Sequence, residues 1–230
     1  MKLLTTANTK IRKGEKLGFQ TFGIHLAPAN LSGFNVCKDA SVGCTASCLN
    51  TAGMGVFSNV QIARIEKRDC SLRIKLCFYR DYSKKLPPRL NQQRKRIDRH
   101  FSAESDIRSA MGKIKLHGVS ILELFPEATF YDYTKSPERM TAFLAGEMPK
   151  NYHLTFSRSE TNGAIAESIL KSGGNVAMVF RKSLPAQYLG ADVINGDETD
   201  LRFLDGAGKI IGLVEKGKAK KDESGFVIEA

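Results

Sequence analysis

The fold is decided between Thr129 and Asn195. Three strand-like runs stand out: Thr129-Phe130-Tyr131-Asp132-Tyr133, Tyr152-His153-Leu154-Thr155-Phe156 and Asn175-Val176-Ala177-Met178-Val179-Phe180. A fourth, residues 191–195, closes the series. Each is short and rich in β-branched or aromatic residues, as strands are. Helical segments separate them. Ser136-Pro137-Glu138 supplies an N-cap and a proline for a first turn. Residues 160–171 read as a second helix, stopped by Gly173-Gly174. Residues 183–189 read as a short helical piece before the last strand. Strands alternating with helices predict parallel βαβ units. The expected class is α/β, a partial or complete TIM-like βα barrel, in one domain over residues 1–230 with a cysteine-bearing N-terminal loop.

In such folds ligands meet the C-terminal ends of the strands. The residues falling there are Asp132, Thr134 and Lys135, then Ser157 and Arg158, then Arg181, then Asp197 and Asp200. Four consecutive strands thus end in groups able to do chemistry. Asp132, Ser157, Asp197 and Asp200 are the catalytic candidates. Lys135, Arg158, Arg181, Arg202, Lys216 and Lys218 are the candidates for binding a substrate's phosphate or other anionic group.

Upstream, Phe19-Gln20-Thr21-Phe22-Gly23-Ile24-His25-Leu26 reads as a strand. A Gly-containing loop over residues 27–57 follows, long enough to be functional in a compact domain. Ser58-Asn59-Val60-Gln61 has the form of a capping box. Ile62, Ile65, Leu72 and Leu76 then make one helical stripe running to about Tyr79. Pro87-Pro88 interrupts the chain, and residues 83–116 form a basic, insert-like segment, with 91–100 an exposed helix or arm.

The chain has 230 residues, 35 Lys+Arg and 24 Asp+Glu, for a formal charge of +11. From Gln61 to His100 there are 13 basic and 4 acidic residues. A surface of that sign attracts polyanions, so nucleic acid or a nucleotide is the expected partner. No apolar run approaches the roughly 20 residues of a membrane helix, and no secretion signal opens the chain. Five cysteines without such a signal point to a reducing compartment, the cytoplasm. Phosphate-loop, dinucleotide-binding, hydrolase-elbow and zincin motifs are all missing from the sequence.

Cys37, Cys44 and Cys48 lie within twelve residues in the loop. The C-x3-C spacing of the last two lets both sulfurs reach one metal. Zinc would take a fourth ligand from His25, Cys70 or Cys77. A [4Fe–4S] cluster on three cysteines would leave one iron open. Cys70 and Cys77, seven apart on the expected helix, suit core packing better.

The loop follows the first strand, as the three-cysteine loop does in radical-SAM enzymes, although their usual C-x3-C-x2-C spacing differs. The run from Cys37 through Cys44-Thr45-Ala46-Ser47-Cys48 to Asn50, Gly53 and residues 57–64 resembles a bacteriophage family named only for gene product 88. Phe125-Pro126, residues 130–135, residues 151–157 and the tail from Lys216 to Val227 extend the resemblance over most of the chain. It implies a phage origin, hence a host cytoplasm, and supplies no mechanism.

The sequence therefore raises three expectations. The first is a metal-dependent enzyme, iron–sulfur or zinc, acting on nucleic acid or a nucleotide, with S-adenosylmethionine as cofactor if the centre is iron–sulfur. The second is a DNA base-modifying, transglycosylase-like enzyme with structural zinc and Asp132 as nucleophile. The third is a basic nucleic-acid-binding protein without catalysis.

Overall fold

The computed structural model describes residues 4–5, 9–71, 98–103, 115–116 and 119–230. In chain order its elements are α1 (Thr9–Lys16), β1 (Phe19–Ile24), α2 (Ala29–Ser32), α3 (Val42–Ala46), α4 (Ser58–Ser71), β2 (Asp98–Ala103), β3 (Lys115–Leu116), β4 (Val119–Ser120) and α5 (Ile121–Leu124). The second half contains β5 (Ala128–Thr134), α6 (Pro137–Leu144), β6 (Tyr152–Ser157), α7 (Gly163–Lys171), β7 (Val176–Phe180), β8 (Gln187–Tyr188), β9 (Ala191–Asn195), β10 (Ile210–Val214) and β11 (Val227–Ile228).

The chain is a mixed α/β protein built on one mostly parallel sheet. Strand order is β1-β2-β5-β6-β7-β10-β9-β8. From β1 to β9 every neighbouring pair is parallel, and only β8 runs against its neighbour β9. The order rises along the chain as far as β10, and β9 and β8 then follow in reverse, so β10 is inserted between β7 and β9.

One face of the sheet carries the main core. Phe130, Leu154, Phe156, Val176, Met178, Phe180 and Ile210 alternate onto it and meet Met140 of α6 and Ala166, Ile169 and Leu170 of α7. The helices start and stop as their sequences require. Ser136 accepts the Arg139 amide with Pro137 in the first turn. Gly173, at φ 83°, turns the chain out of α7, and the Gly174 amide returns to the Ile169 carbonyl at 2.9 Å.

The opposite face is covered differently. Helix α1 and the turn at Arg202–Leu204 lie over it, with Phe203 against the rings of Phe19, Tyr131 and His153. Helix α1 also shows that the sheet curls. A Cβ on Gly23 of β1 would sit 3.2 Å from Ile11 Cδ1, while the adjacent Lys10 donates to the Gly196 carbonyl, just past β9, at 3.0 Å. A flat sheet would hold β1 and β9 six spacings of about 4.8 Å apart, roughly 29 Å. Two neighbouring side chains do not span that distance.

Several sequence expectations change. Residues 98–100, the end of the stretch expected to be an exposed helix or arm, instead open β2, which lies between β1 and β5. No helix forms at 183–189, where Gln187-Tyr188 pairs with β9 instead. The capping box at Ser58 is not made: α4 already includes Ser58, and the Gln61 side chain donates to the Gly55 carbonyl. The remainder of the expected helix to Tyr79, Cys77 and most of the 83–116 segment fall outside the described residues. Among the described residues no helix is long and apolar enough to cross a membrane.

Candidate functional site

The C-terminal ends of β5, β6 and β7 share one rim of the sheet. On it, Lys135 Nζ donates to Ser157 Oγ at 2.6 Å. Each residue directly follows or ends its strand, and the strands are adjacent, so the pair is set by parallel register. The Lys135 ammonium also lies 5.8 Å from the centre of the Phe226 ring.

Three sequence-distant segments meet at this rim. β6 pairs with β7 only at Phe156↔Val176 and Ser157↔Ala177. Beyond that the strands part, and β11 fills the fork by pairing with Val179 and Phe180. Arg158 holds this tail through the Gly225 and Phe226 carbonyls. Arg181 donates to the carbonyls of Lys220 and Asp222 and pairs with Glu229. Both arginines, expected to bind an anion, spend their donors on the protein's own backbone.

The cysteine loop lies against the same tail. Cys44 packs against the cluster of Ala219, Phe226 and Val227, as does Val179 of β7. Glu160, beyond β6, accepts from the Ser41 hydroxyl and the Gly43 amide, both at 2.7 Å. A Cβ on Gly43 would overlap the Ser224 hydroxyl and the Glu160 carboxylate. Asp222 accepts from the Ser224 hydroxyl at 2.7 Å, the Val227 amide at 2.9 Å and the Ser47 hydroxyl at 3.4 Å. The Lys218 amide donates to Thr51 Oγ1, and Gly217 passes so close that a Cβ there would overlap the Thr51 carbonyl. Partial burial pushes both the Glu160 and Asp222 carboxyls up, but the hydrogen bonds they accept outweigh it and hold both below their ordinary values.

The acidic candidates separate. Asp132 is fully buried on the helix-covered face, in register parity with Phe130, with Arg139 of α6 3.7 Å away. The same guanidinium donates to the Tyr152 hydroxyl at 2.8 Å. A carboxylate in that layer pairs a helix to a strand and does not face the rim. Asp197 and Asp200 sit beyond β9, bridged by Lys10 of α1 at 3.5 and 3.2 Å. Lys216 pairs with Asp197. Burial raises Asp197, yet the bonds from Lys216 and the Val214 amide bring it below its ordinary value. Arg202 is buried on the opposite face beside Asp205, donating to the Thr199 carbonyl at 2.6 Å, so it is no surface anion binder.

The cysteines do not make a three-thiolate centre. Each is half-buried, but among the described residues no three His, Cys, Asp or Glu side chains come together as a metal-holding group. His25 is buried at the end of β1 and joins no such group. Among the described residues the donor geometry does not fit zinc or an iron–sulfur cluster.

Sequence reasoning missed the fork and the tail that fills it. The signal available was the apolar Phe226-Val227-Ile228 run after a turn. It also missed Asn151, whose amide nitrogen reaches the carbonyls of Leu122, Phe125 and Ala128 at 3.0–3.1 Å and anchors the start of β6.

A family model described as Gene product 88 matches residues 2–230. No curated protein and no solved structure matches the chain.

Proposed function

The chain belongs to the Gene product 88 family, and we propose that it is an enzyme acting on nucleic acid or a nucleotide at the C-terminal rim of β5–β7. The observation that carries this reading is the Lys135–Ser157 hydrogen bond at 2.6 Å on adjacent parallel strand ends. Parallel α/β sheets place their chemistry at that edge. We take the curled sheet as an open, partial form of a βα barrel, with α1 against its inner face.

Lys135 and Ser157 suit two tasks. The lysine attracts an anionic group, and the net charge of +11 favours a polyanion. A serine hydroxyl within hydrogen-bond reach of a lysine is also a known arrangement for an activated nucleophile. The cysteine loop and the 216–229 tail form the wall of the site, and Asp132 stiffens the layer behind it.

The test is a survey of single-stranded DNA, duplex DNA, RNA and free nucleotides, each incubated with the protein and read by mass spectrometry. The expected result is a covalent change in one class. Ser157→Ala and Lys135→Met should slow it at least about 100-fold with the fold intact. A change that proceeds at full rate in both variants sinks the proposal, as does the lack of change in every class.

A further inference from the structure

We propose a second subsite, one that takes an unpaired nucleotide of a single-stranded nucleic acid, between the cysteine loop and the tail. It rests on the functional reading above, because it names the form of nucleic acid that reaches the same rim.

A cavity of about 430 Å³ opens there, lined by Asn30, Ser41, Val42, Thr45, Thr51 and Lys218 among others. That volume is in the range of small-ligand sites. Its lining offers what a nucleotide needs: the Lys218 cation for the phosphate, the Asn30 amide for a base edge, and the apolar surface of Val42 for a base face. Lys218 is held beside the cavity by its own backbone, through the amide bond to Thr51 and the close approach of Gly217. Lys220 and Lys221 stand on the same turn, Gly217–Lys221, which makes a short basic track beside the cavity.

The second observation is the surface of the loop itself. Thirteen large apolar side chains are exposed among the described residues, and eight of them lie between Leu31 and Ile62. They include Phe34 and Phe57, each more than half exposed, and Val42 at 86%. Of the eight, Val42 lines the cavity itself, together with Lys218. Exposed aromatic rings on the same segment of chain and lysines on the turn across the cavity are the ingredients of a single-strand platform, where bases stack and the backbone follows the charge. A duplex keeps its base faces stacked inside and cannot use such a surface.

Fluorescence anisotropy with a labelled 15-nucleotide oligo-dT, its RNA counterpart and a duplex of equal length tests this, each across a salt series. Single strands should bind at least about tenfold tighter than the duplex. Lys218→Ala should lower the slope of log affinity against log salt by about 0.7, the value of one phosphate contact on a single strand. Phe34→Ala should weaken single-strand binding about tenfold and leave duplex binding unchanged. Val42→Ser should reduce the single-strand preference, and at 86% exposure the replaced side chain takes no part in the core. Equal binding of duplex and single strand, unmoved by Lys218→Ala and Phe34→Ala, overturns the subsite while leaving the rim reading standing. No binding to any nucleic acid overturns the subsite and leaves the rim reading only its free-nucleotide form.

Discussion

The helix-covered face of the sheet and its C-terminal rim are held together in opposite ways. The covered face joins elements that are near neighbours in sequence, through apolar side chains: Phe130, Met140, Phe156, Ile169. The rim joins segments more than a hundred residues apart, through polar hydrogen bonds: the Gly43 amide to Glu160, the Ser47 hydroxyl to Asp222 and the Lys218 amide to Thr51. The first arrangement gives stability and tolerates little. The second is weaker per contact and lays loops across the C-terminal ends of the strands. The difference teaches that buried charge in this protein has two meanings, since Asp132 belongs to the first system and Asp222 to the second.

The sharpest way to break the comparison is in the covered layer. Phe156→Ala should cost about 3–5 kcal/mol in chemical denaturation, because it empties a fully buried ring site. Asp132→Ala should cost about 3 kcal/mol by leaving Arg139 without its buried partner. If Asp132→Asn instead kept wild-type stability and lost turnover, Asp132 would belong to the site and the division into two systems would fail.

Rim variants should cost less and act locally. Asp222→Ala removes the acceptor of three hydrogen bonds and should cost about 1–2 kcal/mol. Hydrogen exchange should speed up at 41–50 and 222–229 while β5–β7 stay protected. The same acceptors predict a pH effect. Glu160 and Asp222 titrate below their ordinary values in the folded protein. Their contribution is therefore complete above the ordinary carboxyl range and is lost as pH falls through the depressed folded values. Proteolysis of the rim should accelerate below about pH 4, and Glu160→Gln with Asp222→Asn should flatten that response. A rim whose protease sensitivity stayed constant to acid pH would mean that these carboxylates do not hold it.

The smallest effect sharpens the question of metal. Cys44→Ser exchanges a sulfur packed against the cluster of Ala219, Phe226 and Val227 for a hydroxyl, and should cost about 1 kcal/mol by thermal melting. Metal and sulfide analysis of the same pair of proteins provides the control. A loss of bound metal in Cys44→Ser would make the loop a metal loop and require a ligand arrangement other than the one described.

Legibility followed the same division. The β5–α6–β6–α7–β7 run was readable because periodicity, Ser136-Pro137 and Gly173-Gly174 are local signals. Residues 191–195 were read to the residue. Strand β2 was hidden: Asp98, Arg99 and His100 give it a polar start, and its place is set by pairing with β1 and β5, not by propensity. Of the site, the Lys135–Ser157 pair was readable as strand-end residues. Arg158, Arg181 and Arg202 were readable as cations only. Whether an arginine is open to solvent or spent on a carbonyl depends on what crosses it, and here the tail of the chain crosses two of the three.

The wedge at Val227-Ile228 has a consequence in time. The loop at 41–51 leaves the ribosome about 170 residues before the segment that locks it, since Ser47 and Asp222 are 175 apart and Thr51 and Lys218 are 167 apart. At roughly 5–20 residues per second, that is a wait of about 10–35 s. Through that interval the growing chain carries its apolar loop without its lock, and the fork between β6 and β7 stands open. Residues 216–229 set this rim, so the edge takes its form only once synthesis has passed them.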